Sequence, residues 1–367
     1  MKILCLIDID NFRNRNSFPI DFVRSLKKNE YSTTIDYGIK WLNNKYPVWD
    51  IVHIHWPEDL LKGKVITNKT IRDLDQKLKS WGRLTKIICT VHNHTSHNNT
   101  SQLSNLLYKV VFNNCFGFIH LGNKSIGLFN TFYSGKYASV SHVVIPHGNY
   151  SSMGSITNKN VARKKLGLED SDKIILVVGK IRNLKEFDLM LNSFNAAATP
   201  NCKLLFCGTF QSAKSFLKAV DLYAFFKQGF ITINWRYKLY RTKNVITRIG
   251  IKSDDLLSKY LSASDILFIP RQKVINSGNV PLGFTFAKVV VGPNYGDVGE
   301  LLEQHGNPTF ETTNSFIEIN KKLVEGLILS STDLPLKNMT IANTLWDWEN
   351  IAQQHINFYN FLIKNYH

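Results

Sequence analysis

Residues 173–194 read KIILVVGKIRNLKEFDLMLNSF. The first half is a short apolar run, which predicts a buried parallel strand, and the second half predicts a helix. The later runs CKLLFCG, NVITRIG, DILFIPR and KVVVGPNYG repeat the strand pattern, with helical stretches between them. Strands that alternate with helices favour a doubly wound α/β sheet in this half of the chain.

Another series of strands lies nearer the N-terminus. MKILCLIDI opens the chain as an apolar run, and DIVHIHWP, TKIICTVHNH, CFGFIHLG and SHVVIPHGNY each join apolar residues to a polar loop with His, Asn or Gly. Parallel sheets present functional loops at the carboxyl ends of their strands, so we expect four consecutive strands to deliver polar side chains to one rim. The turn-rich segment SSMGSITNKN, residues 151–160, predicts the linker between two domains.

Size and composition are those of a globular protein. The chain has 367 residues, of which 44% are apolar and 20% charged, so we expect two domains. No stretch approaches the roughly 20 continuous apolar residues that span a bilayer, and the N-terminus reaches acids too soon for a signal peptide. The five cysteines lack C-x-x-C spacing and are interpreted as reduced core residues. These features predict a cytoplasmic protein.

The net charge is +17, and no Asp or Glu occurs between Asp75 and Glu169. A surface of this kind attracts polyanions or an anionic membrane face, which predicts peripheral binding at the inner face of the cell membrane. The alternative is a basic surface that is only solvated. Charge alone suggests nucleic acid, but the sequence has no recognisable reading motif, so we expect no nucleic-acid partner.

Two loops in the second half favour an anion site. Arg182 and Lys185 are cations three positions apart at a predicted helix start, where backbone N–H groups and the helix dipole add to their charge. A nucleotide diphosphate is the expected guest. The loop NSGN places Asn276, Ser277 and Gly278 before another helix, where hydroxyl and backbone groups donate to phosphate oxygens. An ordinary helix cap is the alternative for this loop.

Histidines at strand ends are further candidates. His92, His94 and His97 in VHNHTSHNN have a spacing that invites a metal, but no acid lies nearby and the loop is not helical. A contact with sugar or phosphate suits His92 better, and His147 has the same character, with Gly148 predicted to allow a tight turn. A purely structural histidine remains the alternative at each position.

Nine segments follow one another along the chain: DIVHIHWPE, TVHNH, VIPHGNY, ARKKLGL, GKIRNLKEFDLMLNSF, LLSKYLSASDILFIP, NSGN, KVVVGPNYGDVGE and WDWENIA. This ordered series resembles the large retaining GT-B glycosyltransferase family four. It is nearest to a subgroup with His-Trp-Pro-Glu and a Ser-Gly donor loop. The resemblance implies two Rossmann-like domains that face a cleft. It implies an acceptor domain over residues 1–152, a nucleotide-sugar donor domain over 153–345, and an amphipathic helix over 346–367 that packs back toward the N-terminal domain.

The resemblance also implies roles for individual residues. Arg182 and Lys185 match the family's grip on the donor pyrophosphate, and the segment from Asn276 to Gly278 matches the loop that cups the phosphates. His92 matches a histidine that reaches the donor sugar. The loop with Arg13 and Arg15 matches the family's first-strand loop, which approaches donor and acceptor. Together with Asn93 and His147, these arginines are the acceptor-side candidates.

Two family glutamates around the late donor loop are missing, because Val274 and Leu282 occupy their positions. Ribose recognition is then expected elsewhere, with Glu300 as the candidate. The pair Asp8 and Asp10 has the spacing of an acidic metal motif, but it ends the first strand of the wrong domain, so no metal is expected.

The resulting hypothesis is a glycosyltransferase without metal or cofactor. It moves a sugar, with retention, from a nucleotide-diphosphate donor to a saccharide or lipid-linked saccharide in cell-surface polysaccharide or glycan assembly. A sugar-nucleotide epimerase of the same architecture and an inactive GT-B binding subunit are the alternatives.

Overall fold

The computed structural model describes residues 1–7, 9, 17–29, 34–44, 48–95, 102–196, 201–210, 222–250 and 253–365, with the backbone alone at 29 and 222–231. Contacts between residues divide the chain into two units. The N-terminal unit comprises Met1–Gly148 and Thr344–His367, and the C-terminal unit comprises Asn149–Asn343.

The N-terminal unit is built on a parallel sheet of six strands: β1 (Lys2–Leu6), β2 (Thr34–Tyr37), β3 (Ile51–Ile54), β4 (Lys86–Thr90), β5 (Gly117–His120) and β6 (Ser141–Val144). Their order across the sheet is β2-β1-β3-β4-β5-β6. The α-helices that precede β6 in this unit are α1 (Phe18–Asn29), α2 (Asn68–Gly82), α3 (Gln102–Asn113) and α4 (Asn123–Phe132).

Both faces of this sheet are covered, which explains why its strands are apolar at consecutive positions. Leu4 and Leu6 join a core that includes Leu78 and Leu107 from α2 and α3. Ile3 and Cys5 point to the other face and join a second core. Helix α2 begins cleanly because Thr67 and Thr70 form a reciprocal capping box.

The C-terminal unit contains a second parallel sheet: β7 (Lys173–Ile181), β8 (Cys202–Phe210), β9 (Val245–Ile249), β10 (Ile266–Phe268), β11 (Val289–Pro293) and β12 (Thr309–Phe310). The order is β12-β11-β10-β7-β8-β9. Read from β9, this is the order 3-2-1-4-5-6 of dinucleotide-binding sheets. The helices are α5 (Lys159–Leu166), α6 (Leu184–Asn195), α7 (Leu222–Arg241), α8 (Asp254–Ala263), α9 (Asn279–Thr285), α10 (Gly296–Gln304), α11 (Phe316–Leu329) and α12 (Leu334–Thr344).

A buried charge cluster joins α5 to the sheet of the C-terminal unit. Asp265, just before β10, accepts from Arg163 Nη2 at 2.9 Å and from the Ile174 backbone N–H at 2.6 Å, and it also pairs with Lys159. Arg163 in turn donates to the carbonyl oxygen of Ala263 at 3.0 Å. Because the guanidinium and the carboxylate are both buried, each depends on the other for compensation of its charge.

The last helix, α13 (Trp348–Asn365), belongs to the N-terminal unit, where it packs against α1. Ile351, Ile356 and Tyr359 enter the same core as Ile3 and Cys5. A helix that returns to the N-terminal unit was predicted, and this is confirmed. Trp346 is buried but precedes the helix, so the predicted helix start was two residues too early.

Two further findings concern the chain as a whole. All five cysteines are buried and unpaired. Within the ranges given above, no helix combines the length and the apolar character that crossing a bilayer requires.

Candidate functional site

The order of the C-terminal sheet reverses between β7 and β10, which are neighbours although 91 residues separate their paired positions Ile175 and Ile266. Ligands of doubly wound sheets bind outside the carboxyl ends of the strands at such a switch point, because the loops diverge there. The loop after β7 carries Arg182, and the loop after β10 runs from Ile269 to Gly278. Arg182, which the cation pattern singled out, therefore lies beside this switch point.

One carboxylate organises the end of β7. Glu186 Oε2 accepts from the Arg182 backbone N–H at 2.8 Å, and Oε1 lies 3.4 Å from Arg271 Nε. Asn183 caps α6 by accepting from the Glu186 backbone N–H at 3.0 Å. Arg271 also donates from Nη2 to the Lys180 carbonyl oxygen at 3.1 Å. Glu186 thus ties the loop after β10 to the start of α6.

Positive charge exceeds negative charge at this point. Arg271 is only 15% exposed, and burial, together with the nearby Arg182, lowers its pKa to about 10, against the opposing effect of Glu186. Two guanidinium groups therefore lie close to a single carboxylate. Sequence reasoning missed Arg271 and Glu186, although the position of Arg271 directly after the run DILFIP was a usable signal.

Lys185 is exposed and lines a surface pocket of about 490 Å³. The other cations of this pocket are Arg271 and Lys273, and Thr312 and Thr313 form part of its wall. Arg182, Ser277 and Gly278 are not among the residues that line it. The structure thus places Arg182 and Lys185 at the same helix start. Of these two residues, Lys185 lines the pocket and Arg182 does not.

The Ser-Gly loop, residues 276–278, is followed by Asn279, which is hydrogen-bonded to β7. Asn279, the first residue of α9, donates from Nδ2 to the carbonyl oxygen of Val178 in β7 at 3.1 Å, a link that sequence reasoning did not find. Ser277 Oγ accepts from the Asn279 backbone N–H at 3.3 Å, and its carbonyl oxygen accepts from Val280 at 3.2 Å. Ser277 therefore bonds within the turn that precedes α9, whose N-cap is Gly278. Asn276 and Gly278 lie half-buried beside it.

The positions that replace the family glutamates are apolar and closed to solvent. Val274 and Leu282 are each 5% exposed. The loop after β11 reaches the same region, since the Asp297 backbone N–H donates to the Ile275 carbonyl oxygen at 2.7 Å. A Cβ atom at Gly296, where φ is +58°, would lie 2.6 Å from that same oxygen, so the close approach requires glycine. Glu300 lies half-buried on α10, the helix that this loop begins.

In the N-terminal unit the strand order reverses between β1 and β3. His55 follows β3 and His92 follows β4, and His55 Nδ1 lies 3.3 Å from His92 Nε2. Trp56 stacks on the His92 ring with centroids 4.5 Å apart. Phe18, at the start of α1, has its ring 5.6 Å from His55 and from His92 and 4.6 Å from His147. Three strand ends therefore deliver histidines to one aromatic cluster, whereas the pattern of polar loops predicted four strands at one rim.

Two of these histidines, His55 and His147, have lowered pKa values, which favour the neutral ring. Burial, followed by the neighbouring histidines, holds the pKa of His55 well below its usual value. Burial also lowers the pKa of His147 to about 4, against the effect of its hydrogen bond to the Gly148 carbonyl oxygen. In the described part of the chain no hydrogen-bond partner reaches Nε2 of His55, which is buried. His55 was not among the predicted site residues, although it lies in the motif HIHWPE.

Other predicted residues of this unit lie apart from the cluster or outside the described residues. His94 is buried against Phe129 and Phe132, with ring centroids 5.8 and 5.5 Å away, and Asn93 is half-buried before it. The residues outside the described ranges are Asp8, Asp10, Arg13, Arg15 and His97.

The explanation offered for Gly148 was wrong. Its φ is not in the left-handed region, so no tight turn requires glycine there. Instead, a Cβ atom would collide with the ring of Trp348, so a close approach to α13 requires it. As for metals, no group of three or more His, Cys, Asp or Glu side chains is arranged to hold an ion among the residues that the structure describes.

Comparison with known proteins gives no match at the level of sequence. No family model matches the chain, and no curated protein matches it.

Comparison with solved structures gives matches over the whole chain. Sucrose-phosphate synthase from Thermosynechococcus elongatus matches with a TM-score of 0.71 at 12% identity, covering 99% of both chains. HepE from Anabaena, in complex with UDP and glucose, matches with a TM-score of 0.66 at 13% identity, covering 98% of this chain and 100% of HepE. WaaG, a glycosyltransferase involved in lipopolysaccharide biosynthesis, matches with a TM-score of 0.59 at 14% identity, covering 98% and 99%. With its two Rossmann-like doubly wound sheets, this chain has the GT-B fold that its sequence predicted.

Proposed function

We propose that this protein is a glycosyltransferase that takes a sugar from a nucleotide-diphosphate donor bound mainly by its C-terminal unit. The observation that carries the proposal is the gathering of Arg182, Lys185 and Arg271 at the switch point of that unit's sheet. Doubly wound sheets bind nucleotides at this position, and the cations there outnumber the single carboxylate of Glu186. The likeness in fold to HepE, whose structure contains UDP and glucose, makes UDP the first nucleotide to test.

The cations have a direct role in the chemistry. When the bond between the sugar and the diphosphate breaks, negative charge develops on the departing phosphate oxygens. Preorganised positive groups lower the barrier because they stabilise this charge more in the transition state than in the bound donor. Arg271 is held in place by Glu186 and by the Lys180 carbonyl oxygen, so little reorganisation is needed when the charge appears. We propose that these cations replace a metal ion.

We propose retention of configuration, on the basis of the sequence resemblance to family four. The acceptor hydroxyl then attacks from the side of the leaving group, and the diphosphate itself takes the proton, so no side-chain base is required. His92 is the proposed sugar-contacting residue of the N-terminal unit. Its ring is held between Trp56 and His55, and this fixes its orientation. Glu300 is the proposed contact to the ribose.

The proposed acceptor is a saccharide or a lipid-linked saccharide of cell-surface glycan assembly, met at an anionic membrane. The acid-free interval between Asp75 and Glu169 supports this choice, because it supplies bases of the N-terminal unit without compensating acids. Each base near an anionic leaflet contributes about 1 kcal/mol of attraction.

A donor panel tests the proposal. The protein is incubated with UDP-, GDP- and ADP-sugars, with and without a mixture of saccharide acceptors, in the presence of a strong chelator. We expect nucleotide release that requires an acceptor and survives the chelator. Conversion of a donor to an isomer without acceptor would instead indicate an epimerase. Nucleotide binding without turnover of any donor would indicate an inactive binding subunit.

A further inference from the structure

The second half of α7 is fixed to the core of the C-terminal unit by one of its faces. Trp235 and Leu239 are buried. The Trp235 ring stacks on Phe187, with centroids 5.0 Å apart and planes 9° from parallel, and meets the edge of Phe210 at 5.5 Å. The opposite face of this half of the helix therefore points away from the unit's core.

That opposite face carries large exposed side chains. Ile233, Tyr237 and Tyr240 are 66%, 59% and 86% exposed, respectively. Spacings of four and three residues bring them onto one side of a helix. Scattered apolar residues are normal on a surface, but three in one stripe on one helix form a patch.

Bases surround the stripe. Arg236, Lys238 and Arg241 are exposed on the same helix, and exposed Lys243 follows it. The Arg241 guanidinium lies 5.9 Å from the centre of the Tyr237 ring. The sequence contains no Asp or Glu between Asp221 and Asp254, so no acid of this segment compensates for these charges.

We propose that this face, comprising Ile233, Tyr237, Tyr240 and their four flanking bases, docks on an anionic lipid membrane. Tyrosine rings suit the level of the lipid headgroups, since the ring is apolar and the hydroxyl is wet. An aliphatic Ile233 gains by entering the acyl boundary while the bases meet anionic headgroups, as in helices that lie in a membrane interface. A nucleic acid would satisfy the bases and stack on the tyrosines, but it offers Ile233 little, so the membrane is the better occupant.

The inference goes beyond the proposed function, because lipid binding by this face requires neither donor nor acceptor. It also differs from the membrane contact proposed for the acid-free interval of the N-terminal unit. Variants of α7 should therefore bind anionic vesicles more weakly while they keep nucleotide binding, which separates a failure of this inference from a failure of the proposed function.

The test is co-sedimentation with vesicles of phosphatidylcholine alone and with vesicles of phosphatidylcholine mixed with anionic phosphatidylglycerol. We expect binding to the anionic vesicles only, and release at high salt, because screening shortens the reach of the charges. Arg241→Gln with Lys243→Gln should weaken the partition coefficient about 25-fold, since each base contributes about fivefold. Ile233→Ser with Tyr240→Ser should weaken it by a similar amount at low salt.

Matched controls remove the same chemistry elsewhere in the same unit. Ile317→Ser with Ile328→Ser changes two exposed aliphatic residues of α11, and Lys321→Gln with Lys322→Gln changes two bases of that helix. Both controls should bind vesicles like the wild type. All the substituted side chains project from the surface, so thermal unfolding should change little in any variant.

Three outcomes would overturn the proposal: equal binding by wild type and both α7 variants, equal binding by wild-type protein to neutral and anionic vesicles, or no binding to either. Fluorescence anisotropy with a labelled single-stranded RNA covers the rival occupant. If RNA binds and the α7 variants abolish that binding while vesicles are ignored, the face is a nucleic-acid surface.

Discussion

Replacement of Lys185 by alanine should weaken nucleotide binding without unfolding the protein. Lys185 is exposed at the start of α6, so its loss removes no core contact. A hydrogen bond from a charged group to a phosphate oxygen contributes about 1.5–3 kcal/mol. With about 1.36 kcal/mol for each factor of ten, the Kd for the nucleoside diphosphate should rise roughly 13- to 160-fold.

The same change can be followed by thermal unfolding. A ligand at 100 times its Kd stabilises the wild type by about 2.7 kcal/mol. If Kd rises tenfold, the same concentration is only ten times Kd and stabilises by about 1.4 kcal/mol; if Kd rises a hundredfold, the stabilisation falls to about 0.4 kcal/mol. Isothermal titration with UDP, GDP and ADP gives Kd directly, and the unfolding shift provides an independent check.

Two further variants make the result specific. Lys185→Arg keeps the charge and should retain most of the affinity. Lys322→Ala removes a lysine of α11 that pairs with Glu325 on the surface, and it should leave Kd unchanged. If Lys185→Ala binds the preferred nucleotide within twofold of the wild type, the assignment of Lys185 to the diphosphate is refuted.

Three other predictions concern stability. Gly208→Ala should destabilise the protein by about 1–3 kcal/mol and reduce nucleotide affinity. The new Cβ atom would collide with the Gly179 carbonyl oxygen, near the end of the strand that leads to Arg182. An unchanged melting temperature would contradict this. Asp265→Asn should lower the free energy of unfolding in urea by about 3–5 kcal/mol, since it leaves buried Arg163 without its carboxylate. Asp255→Asn, at an exposed ion pair, should lower it by less than about 1 kcal/mol, and equal effects of the two changes would refute the role of burial. Acidification from about pH 6.5 to about pH 4 should lower the free energy of unfolding, because buried histidines with folded pKa values near 4 take up protons only on unfolding in that window. A melting temperature that stays constant over this pH range would argue against neutral burial. These histidines are His94, His147 and His355.

The sequence was sufficient for the longer apolar strands and for the segments that carry Arg182, Lys185 and Ser277, because these follow from local apolar patterns. It did not indicate the short strands β2 and β12. It was not sufficient for contacts between segments that are distant in the sequence. Arg271 meets Glu186 because β10 lies beside β7, and periodicity along a chain contains no information on strand order. The bond from Asn279 to the Val178 carbonyl oxygen joins residues 101 positions apart and was missed for the same reason.

The reason a position requires glycine can also lie in a distant part of the chain. The need for glycine at position 148 comes from Trp348 on a helix at the far end of the chain, and no local pattern indicates it. Histidine burial also depends on distant residues, since His53 bonds to Thr90 and to Tyr359. Residue type alone could not decide which histidines belong to the core and which to a site.

The return of α13 to the N-terminal unit affects how the protein is made. The hydrogen bond between His53 and Tyr359 joins residues 306 positions apart. During synthesis the ribosome completes residues 149–343 before α13 emerges, which takes roughly 10–40 s at typical elongation rates. Over that period the sheet face that carries Ile3 and Cys5 is covered by α1 but lacks the part of its cover that α13 provides. A nascent chain halted before residue 348 therefore presents this apolar surface to chaperones and to other nascent chains.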